Sequence, residues 1–348
     1  MTPPLASYTP TGYLMIHETE IRNFKCFEHL HIKGCRRINI IVGENGVGKT
    51  ALLEGMFFAA GTTSELIIRY RQQRGLDGTF RGSARAIGNA LMLDLFYMLR
   101  TNESISVVNT GTDKHTRSGQ IIRNDDVPAG FMIIWTDSKG RDHPIIPQIS
   151  GAGLQFPETG EETSDVFYFA ANQTHPSIEN AERFSILSRQ KRQNDFIKAF
   201  THEYAWLEGF TNEITAGSTA IYASVEGLSD KIPLANVSGG LNRFASIIVA
   251  LQTAPKCVAF VDEVENGLYY KHHKHFWETL LATSRSNDSQ LFLTTHSDEW
   301  LQSLLLAAKD NFEDISLWRI EKSKANRPVL HQFNGKQVRA GIKAGGMR

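Results

Sequence analysis

The octapeptide Gly43-Glu44-Asn45-Gly46-Val47-Gly48-Lys49-Thr50 sets glycines, a lysine and a hydroxyl at the spacing of a phosphate-binding loop. Glycine lets backbone amides close on phosphate oxygens, Lys49 brings a point charge to the β and γ phosphates, and Thr50 offers a hydroxyl to Mg²⁺. Gly43, Asn45, Gly46, Val47, Gly48, Lys49 and Thr50 are therefore candidate nucleotide contacts. Asp262 and Glu263 are adjacent carboxylates closing an apolar run. The first suits Mg²⁺, held through water, and the second suits orienting or deprotonating an attacking water. Ser238, Gly239 and Gly240 precede a helical run and offer amides, a hydroxyl and the positive end of a helix dipole to an anion. The same three residues also make an ordinary N-cap and turn. His296 closes another apolar run, from which it either reaches a γ phosphate or serves as a core or turn residue.

These groups act together only if the elements carrying them converge. Residues 38–42, 258–261 and 291–293 are short apolar runs suited to strands buried on both faces of a parallel sheet. Open α/β sheets hold ligands at the C-terminal ends of such strands, where each of these runs meets polar residues. Residues 242–252 read as a helix with Phe244, Ile247, Ile248 and Leu251 on one face. From about 61 to 165 the pattern changes to a basic stretch, a helix over 84–99, and β-prone segments at 104–108 and 131–135. The basic stretch groups Arg69, Arg71, Arg74, Arg81 and Arg85 with Tyr70, which suits either a phosphate contact or a solvated helix face. Residues 178–214 read as mostly helical. The expected organisation is a loose tail over 1–12 and one domain over 13–348, with insertions at about 61–165 and 176–232.

Composition narrows the classes. A chain of 348 residues, 41% hydrophobic and 21% charged, supports one large α/β domain with insertions. Lys plus Arg and Asp plus Glu are each 37, so no global field recruits nucleic acid or an acidic membrane. Cys26, Cys35 and Cys257 lack metal-ligand spacing and fit free thiols in a reducing compartment. With neither a signal peptide nor an apolar run of about 18 residues, a cytoplasmic protein is expected. His272, His273 and His275 follow one another closely, but adjacent helical residues diverge, so no metal is expected there.

The order Ser238, Asp262, His296, with room for one helix and one strand in each interval, resembles the ABC-type ATPase family over essentially the whole chain. Ile21-Arg22-Asn23-Phe24-Lys25-Cys26-Phe27 followed by Gly43-Glu44-Asn45-Gly46 is similar to its RecF/SMC branch. Asp262-Glu263-Val264-Glu265-Asn266-Gly267-Leu268 is similar to the stand-alone, overcoming-lysogenisation-defect type of AAA-like ATP-binding protein. The resemblance implies an α/β P-loop NTPase: an ABC ATPase head with a central, mostly parallel sheet and an inserted β-rich and helical subdomain. It implies hydrolysis of ATP with Mg²⁺, catalytic roles for Glu263 and His296, and Mg²⁺ ligation by Thr50, Asp262 and Gln173. It further implies a head-to-tail homodimer or higher homo-oligomer, in which Ser238, Gly239 and Gly240 of one subunit meet the nucleotide on the other subunit's P-loop. Residues 265–269 correspond to the loop that crosses the dimer axis. Leu241 stands where Gln is usual, and Tyr269 where many relatives have Asp. The expected function is a dimeric switch for a separate effector, a nuclease or toxin, in prokaryotic anti-phage defence. A RecF-like repair clamp with DNA as its partner is the alternative, and no membrane is involved. The stretch after His296 lacks the Asp-x-Asp pair of the nuclease domains some relatives carry, so this chain is expected to cut nothing itself.

Overall fold

A computed structural model describes residues 15–60, 82–112, 114–150, 153–155, 165–171, 177–309, 311–325 and 327–345. The basic stretch before Arg85, the N-terminal tail and Gln173 lie outside them. In chain order the strands and helices begin with β1 (Ile16–Phe24), β2 (Phe27–Lys33), β3 (Ile38–Val42), α1 (Lys49–Ala60) and α2 (Ala84–Met92). There follow β4 (Ile105–Gly111), β5 (Thr116–Arg123), β6 (Phe131–Thr136), β7 (Asp142–Ile145), β8 (Gln148–Ser150), β9 (Gly153–Gln155) and β10 (Val166–Phe169). Next come α3 (Ser177–Arg189), α4 (Gln193–Thr201), β11 (Leu207–Thr215), β12 (Ser218–Val225), β13 (Ile232–Pro233), α5 (Leu234–Val237) and α6 (Gly239–Thr253). The chain closes with β14 (Val258–Val261), α7 (His273–Ser286), β15 (Gln290–Thr295), α8 (Asp298–Ala308), β16 (Ile315–Lys322), β17 (Pro328–Asn334) and α9 (Gly335–Lys343). None of the described helices is long and apolar enough to cross a membrane.

The chain divides into two compact units. One takes Met1–Cys35, Thr50–Val166 and Lys322–Val329; the other takes Arg36–Lys49, Phe167–Glu321 and Leu330–Arg348. In the first unit an antiparallel sheet runs β2-β1-β4-β5-β6-β7, so the β-prone segments after residue 100 extend a sheet begun by the N-terminal strands. Buried and half-buried residues alternate along β4 and β6, the period of two expected when one face meets a core. The helix expected over 84–99 stops at Met92. Met98 and Leu99 take φ of 48° and 58°, left-handed values that no helix accommodates.

In the second unit the sheet order is β10-β14-β15-β3-β16-β17, and β14, β15, β3 and β16 run parallel. β3 is buried at all five positions because it is central and covered on both faces, which is why its sequence is an unbroken apolar run apart from Asn39. Asn39 spends its amide on backbone, donating to Arg36 O (2.6 Å) and Leu291 O (3.0 Å), so its burial strands no polar group. The stretch 178–214 begins as α3 and α4 but leaves helix for strand β11 at Leu207. Its aromatic residues still join one core. Phe196 and Phe200 pack against Phe210 with centroids 5.5 and 5.4 Å apart, and Phe200 against Phe244 of α6 at 5.8 Å. Each such pair adds about 0.5–1.5 kcal/mol beyond area burial. Phe244 meets Phe276 of α7 at 4.3 Å, so α6, and with it the turn that starts α6, is fixed from two sides.

Candidate functional site

The loop from Gly43 to Lys49 leaves β3 and runs into α1. Gly43 has φ of 145°, and a Cβ built on it would sit 2.3 Å from Ile320 O, so only glycine lets the strand turn here. Gly46, at φ 75°, has nothing within 4 Å of such a Cβ and is exposed with Glu44 and Asn45, while Val47 is buried as the loop's anchor. Lys49 is 7% exposed. Its ammonium donates to Gly43 O (2.7 Å) and Glu44 O (2.9 Å), bending back over the loop. Burial lowers its pKa, and the charges of Glu263, Asp262 and Glu265 partly offset that shift. A buried cation satisfied by two neutral carbonyls, beside an open glycine turn, suits an incoming anion, and that fits the phosphates of a nucleotide. Thr50 follows Lys49 in the first turn of α1 and is half-buried.

Asp262 and Glu263 follow β14 directly. Thr294 of β15 joins them: its hydroxyl donates to Asp262 Oδ1 (2.6 Å) and accepts from the Glu263 amide (2.7 Å). Glu263 has φ of 47°, a left-handed value costing about 1 kcal/mol or more in a residue with a Cβ. It is held there by the Thr294 bond and by Asn266, whose Nδ2 donates to Glu263 Oε2 (2.9 Å). His296, just past β15, is exposed; its Nδ1 lies 3.9 Å from Glu263 Oε1 and 3.4 Å from Glu265 Oε1. Asp262 is 5% exposed, a carboxylate at a strand end whose oxygens suit a hard cation.

Ser238 caps α6, its hydroxyl accepting from Leu241 N (3.3 Å). The two glycines after it differ. A Cβ on Gly240 would fall 1.9 Å from Gly267 O, so Gly240 is required by the close approach of the loop that follows β14. A Cβ on Gly239 would meet nothing within 4 Å, and Gly239 is exposed. Packing within the chain therefore accounts for one glycine and leaves the other facing open space.

Arg243, one turn into α6, drew no attention in the sequence. It is 7% exposed and its guanidinium donates to Ala170 O, to Phe169 O (3.4 Å) and to Asp262 O (2.5 Å), tying α6 to the ends of β10 and β14. Burial lowers its pKa, with Asp262, Glu263 and Glu265 acting in the opposite sense. An arginine in an otherwise apolar helix face is the signal that would have found it. Thr294 was missed for a different reason: its partners, Asp262 and the Glu263 amide, lie after another strand. Glu265 and Asn266 stood out only as part of the 265–269 loop, not for their contacts with His296 and Glu263. Elsewhere, His272 Nδ1 contacts Glu203 Oε1 (2.5 Å), and His275 Nδ1 lies 3.8 Å from its other oxygen. No group of three or more His, Cys, Asp or Glu placed to hold a metal occurs among the described residues.

A phosphate loop after β3, paired carboxylates after β14 and a histidine after β15, on neighbouring parallel strands, define the head of an ABC-type P-loop ATPase. The chain belongs to the RecF/RecN/SMC N-terminal domain family, whose description matches residues 15–309. It is similar to an ATP/GTP phosphatase of Helicobacter pylori, 25% identical over 331 residues that cover 83% of this chain and 87% of that protein. A shorter span is similar to the DNA replication and repair protein RecF of Bacillus mycoides, 28% identical over 85 residues, 24% of this chain and 23% of that one. The fold is similar to that of the Smc head in its crystal structure with the C-winged helix domain of ScpA, with TM-score 0.52, 14% identity, and 92% of this chain and 98% of that chain covered.

Proposed function

We propose that this chain is an ATP-hydrolysing switch that closes as a head-to-tail dimer and controls a separate effector protein. The observation that carries the reading is the convergence of a buried lysine, two carboxylates and a histidine on the C-terminal ends of β3, β14 and β15. In this reading the amides of Gly43–Lys49 and the Lys49 ammonium hold the β and γ phosphates of ATP. Thr50 and Asp262, with Gln173 as a further ligand, would hold Mg²⁺, which would supply positive charge against the phosphate oxygens. Glu263 takes a proton from water as that water attacks the γ phosphorus and ADP leaves, while His296 contacts the γ phosphate. The open face at Gly239 supports the dimer: Ser238, Gly239 and Gly240 of one subunit close over the nucleotide of the other.

Anti-phage defence, with a nuclease or toxin as the separate effector, is the setting its resemblances suggest. The similarity to a protein described by DNA replication and repair favours a second reading, an ATP-dependent DNA clamp. ATP-dependent, salt-sensitive retention of duplex DNA by the purified chain alone distinguishes it.

The composite site is tested by mixing two inactive proteins. Lys49→Ala loses nucleotide binding, measured by calorimetry with Mg²⁺, and Ser238→Arg blocks the facing loop. Mixed, they form heterodimers with one intact site, and ATP turnover recovers in part. Full turnover by Ser238→Arg as a strict monomer refutes the composite site.

A further inference from the structure

Glu265 is the third carboxylate of the loop after β14, and its side chain is engaged within its own chain. Its side chain is 9% exposed, against 30% for Glu263 and 46% for His296. Oε1 accepts from the backbone N–H of His296 (3.1 Å) and lies 3.4 Å from the Nδ1 of the same residue. Oε2 has no hydrogen-bond partner among the described residues. Burying a carboxylate is costly unless it is paired, and a residue needed only to fill this space would be apolar, as its neighbour Val264 is. The Glu265 backbone carbonyl accepts from Leu268 N (3.0 Å), but both polar contacts of its side chain, the hydrogen bond from the His296 amide and the approach to Nδ1, are to one residue, His296.

We propose that Glu265 is the positioning residue for His296: it fixes the backbone at the end of β15 and holds the proton of the imidazole on Nδ1, so that the Nε2 edge is the one presented to the nucleotide. A carboxylate facing one ring nitrogen selects the tautomer with the proton on that nitrogen and orients the ring, and the opposite nitrogen is left for chemistry. Glu263 Oε1, at 3.9 Å, is farther away, and the other oxygen of that carboxylate, Oε2, is held by Asn266, so Glu263 does not substitute. The role deepens the proposed reading, since it rests on His296 as the γ-phosphate contact, but the orientation of the ring is measurable without turnover.

Two substitutions separate position from bulk. Glu265→Met keeps the length of the side chain and removes both acceptors, whereas Glu265→Gln keeps an acceptor and loses the charge. In ¹⁵N-imidazole NMR of the nucleotide-free chain, His296 is expected in the Nδ1-protonated form in the wild type and in Glu265→Gln. Glu265→Met shifts it to the Nε2-protonated form that free neutral imidazole prefers. Turnover of ATP by Glu265→Met falls about tenfold or more with KM changed by less than about twofold, and Glu265→Gln recovers most of the loss. In a His296→Ala background Glu265→Met costs less than about a further twofold, because the two residues act as one unit. An unchanged tautomer in Glu265→Met, or losses that multiply in the double variant, overturns the proposal. A wild-type rate in His296→Ala alongside the tautomer shift in Glu265→Met leaves Glu265 as the orienting residue and refutes instead the γ-phosphate role of His296.

Discussion

Gly239 and Gly240 are neighbours on which the same added methyl group should act with opposite sign. At Gly240 an ideal Cβ falls 1.9 Å from Gly267 O and 2.4 Å from Gly267 C, where contact would need about 3.2 Å. Both obstacles are backbone, so the two loops must part by about 1 Å or more, an overpacking that costs about 1–3 kcal/mol. At about 2–4 °C per kcal/mol for a domain of this class, Gly240→Ala lowers Tm by roughly 2–12 °C. Gly239 starts α6 without a positive φ and without a neighbour inside 4 Å. Alanine there stiffens the unfolded chain and suits a helix, so Gly239→Ala holds or raises stability by up to about 1 kcal/mol. Thermal unfolding of the nucleotide-free proteins reads both effects. The same Gly239→Ala protein is expected to hydrolyse ATP poorly, since its methyl group stands on the face a second subunit's nucleotide would approach. A Tm for Gly240→Ala within about 1 °C of wild type would refute the packing argument. Full turnover by Gly239→Ala would refute the reading of the open face.

Glu263→Gln keeps the shape and loses the base, so it binds ATP with ordinary affinity while kcat falls about 10²–10⁴-fold; wild-type turnover would mean another group activates water. Thr294→Val removes the hydroxyl shared by Asp262 and the Glu263 amide, leaving a half-buried amide without its acceptor. The expected cost is about 1–3 kcal/mol in chemical denaturation together with slower hydrolysis. Asp137, in the turn between β6 and β7, accepts from the amides of Lys139 and Arg141, from the Arg141 side chain and from His143. Burial alone would raise its pKa, but these bonds carry it well below the usual carboxylate range. A carboxyl depressed on folding stabilises in full above its unfolded value of about 4, and that stabilisation is lost as pH falls toward the folded value. Wild type should therefore exceed Asp137→Asn in stability at neutral pH, and the gap should close in acid.

The parts of the fold legible in the sequence were those where one force dominates. Ile38–Val42 and Val258–Val261 are strands over the same residues that apolar runs indicate, because central parallel strands leave no polar face to confuse the pattern. The passage from α4 into β11 was not legible, since Leu207 and Phe210 are its buried residues and their spacing of three reads as helix. The end of α2 was hidden because Met98 and Leu99 look like good helix residues and nothing local announces their left-handed turn. At the candidate site, Lys49, Asp262, Glu263 and Ser238 are marked by their neighbours in sequence. Arg243, Glu265 and Thr294 are defined by partners many residues away, such as the Ala170 carbonyl for Arg243, and no local pattern encodes such pairs.

The three carbonyls held by Arg243 carry a mechanical consequence. Its guanidinium is the shared fastener of the helix that begins at Gly239, the strand that ends at Phe169 and the strand that leads to Asp262. Displacing any one of them takes an acceptor from a buried cation, a cost of about 1.5–3 kcal/mol for each bond lost to a charged group, so opening them one at a time is disfavoured. Lysine could not take over the post, because a single ammonium on a flexible stem does not span what a planar fork of donors spans. Amide hydrogen exchange in these segments should then proceed as one cooperative event. A push delivered at the Ser238 turn is felt at the Asp262 carbonyl as movement of a single stiff part.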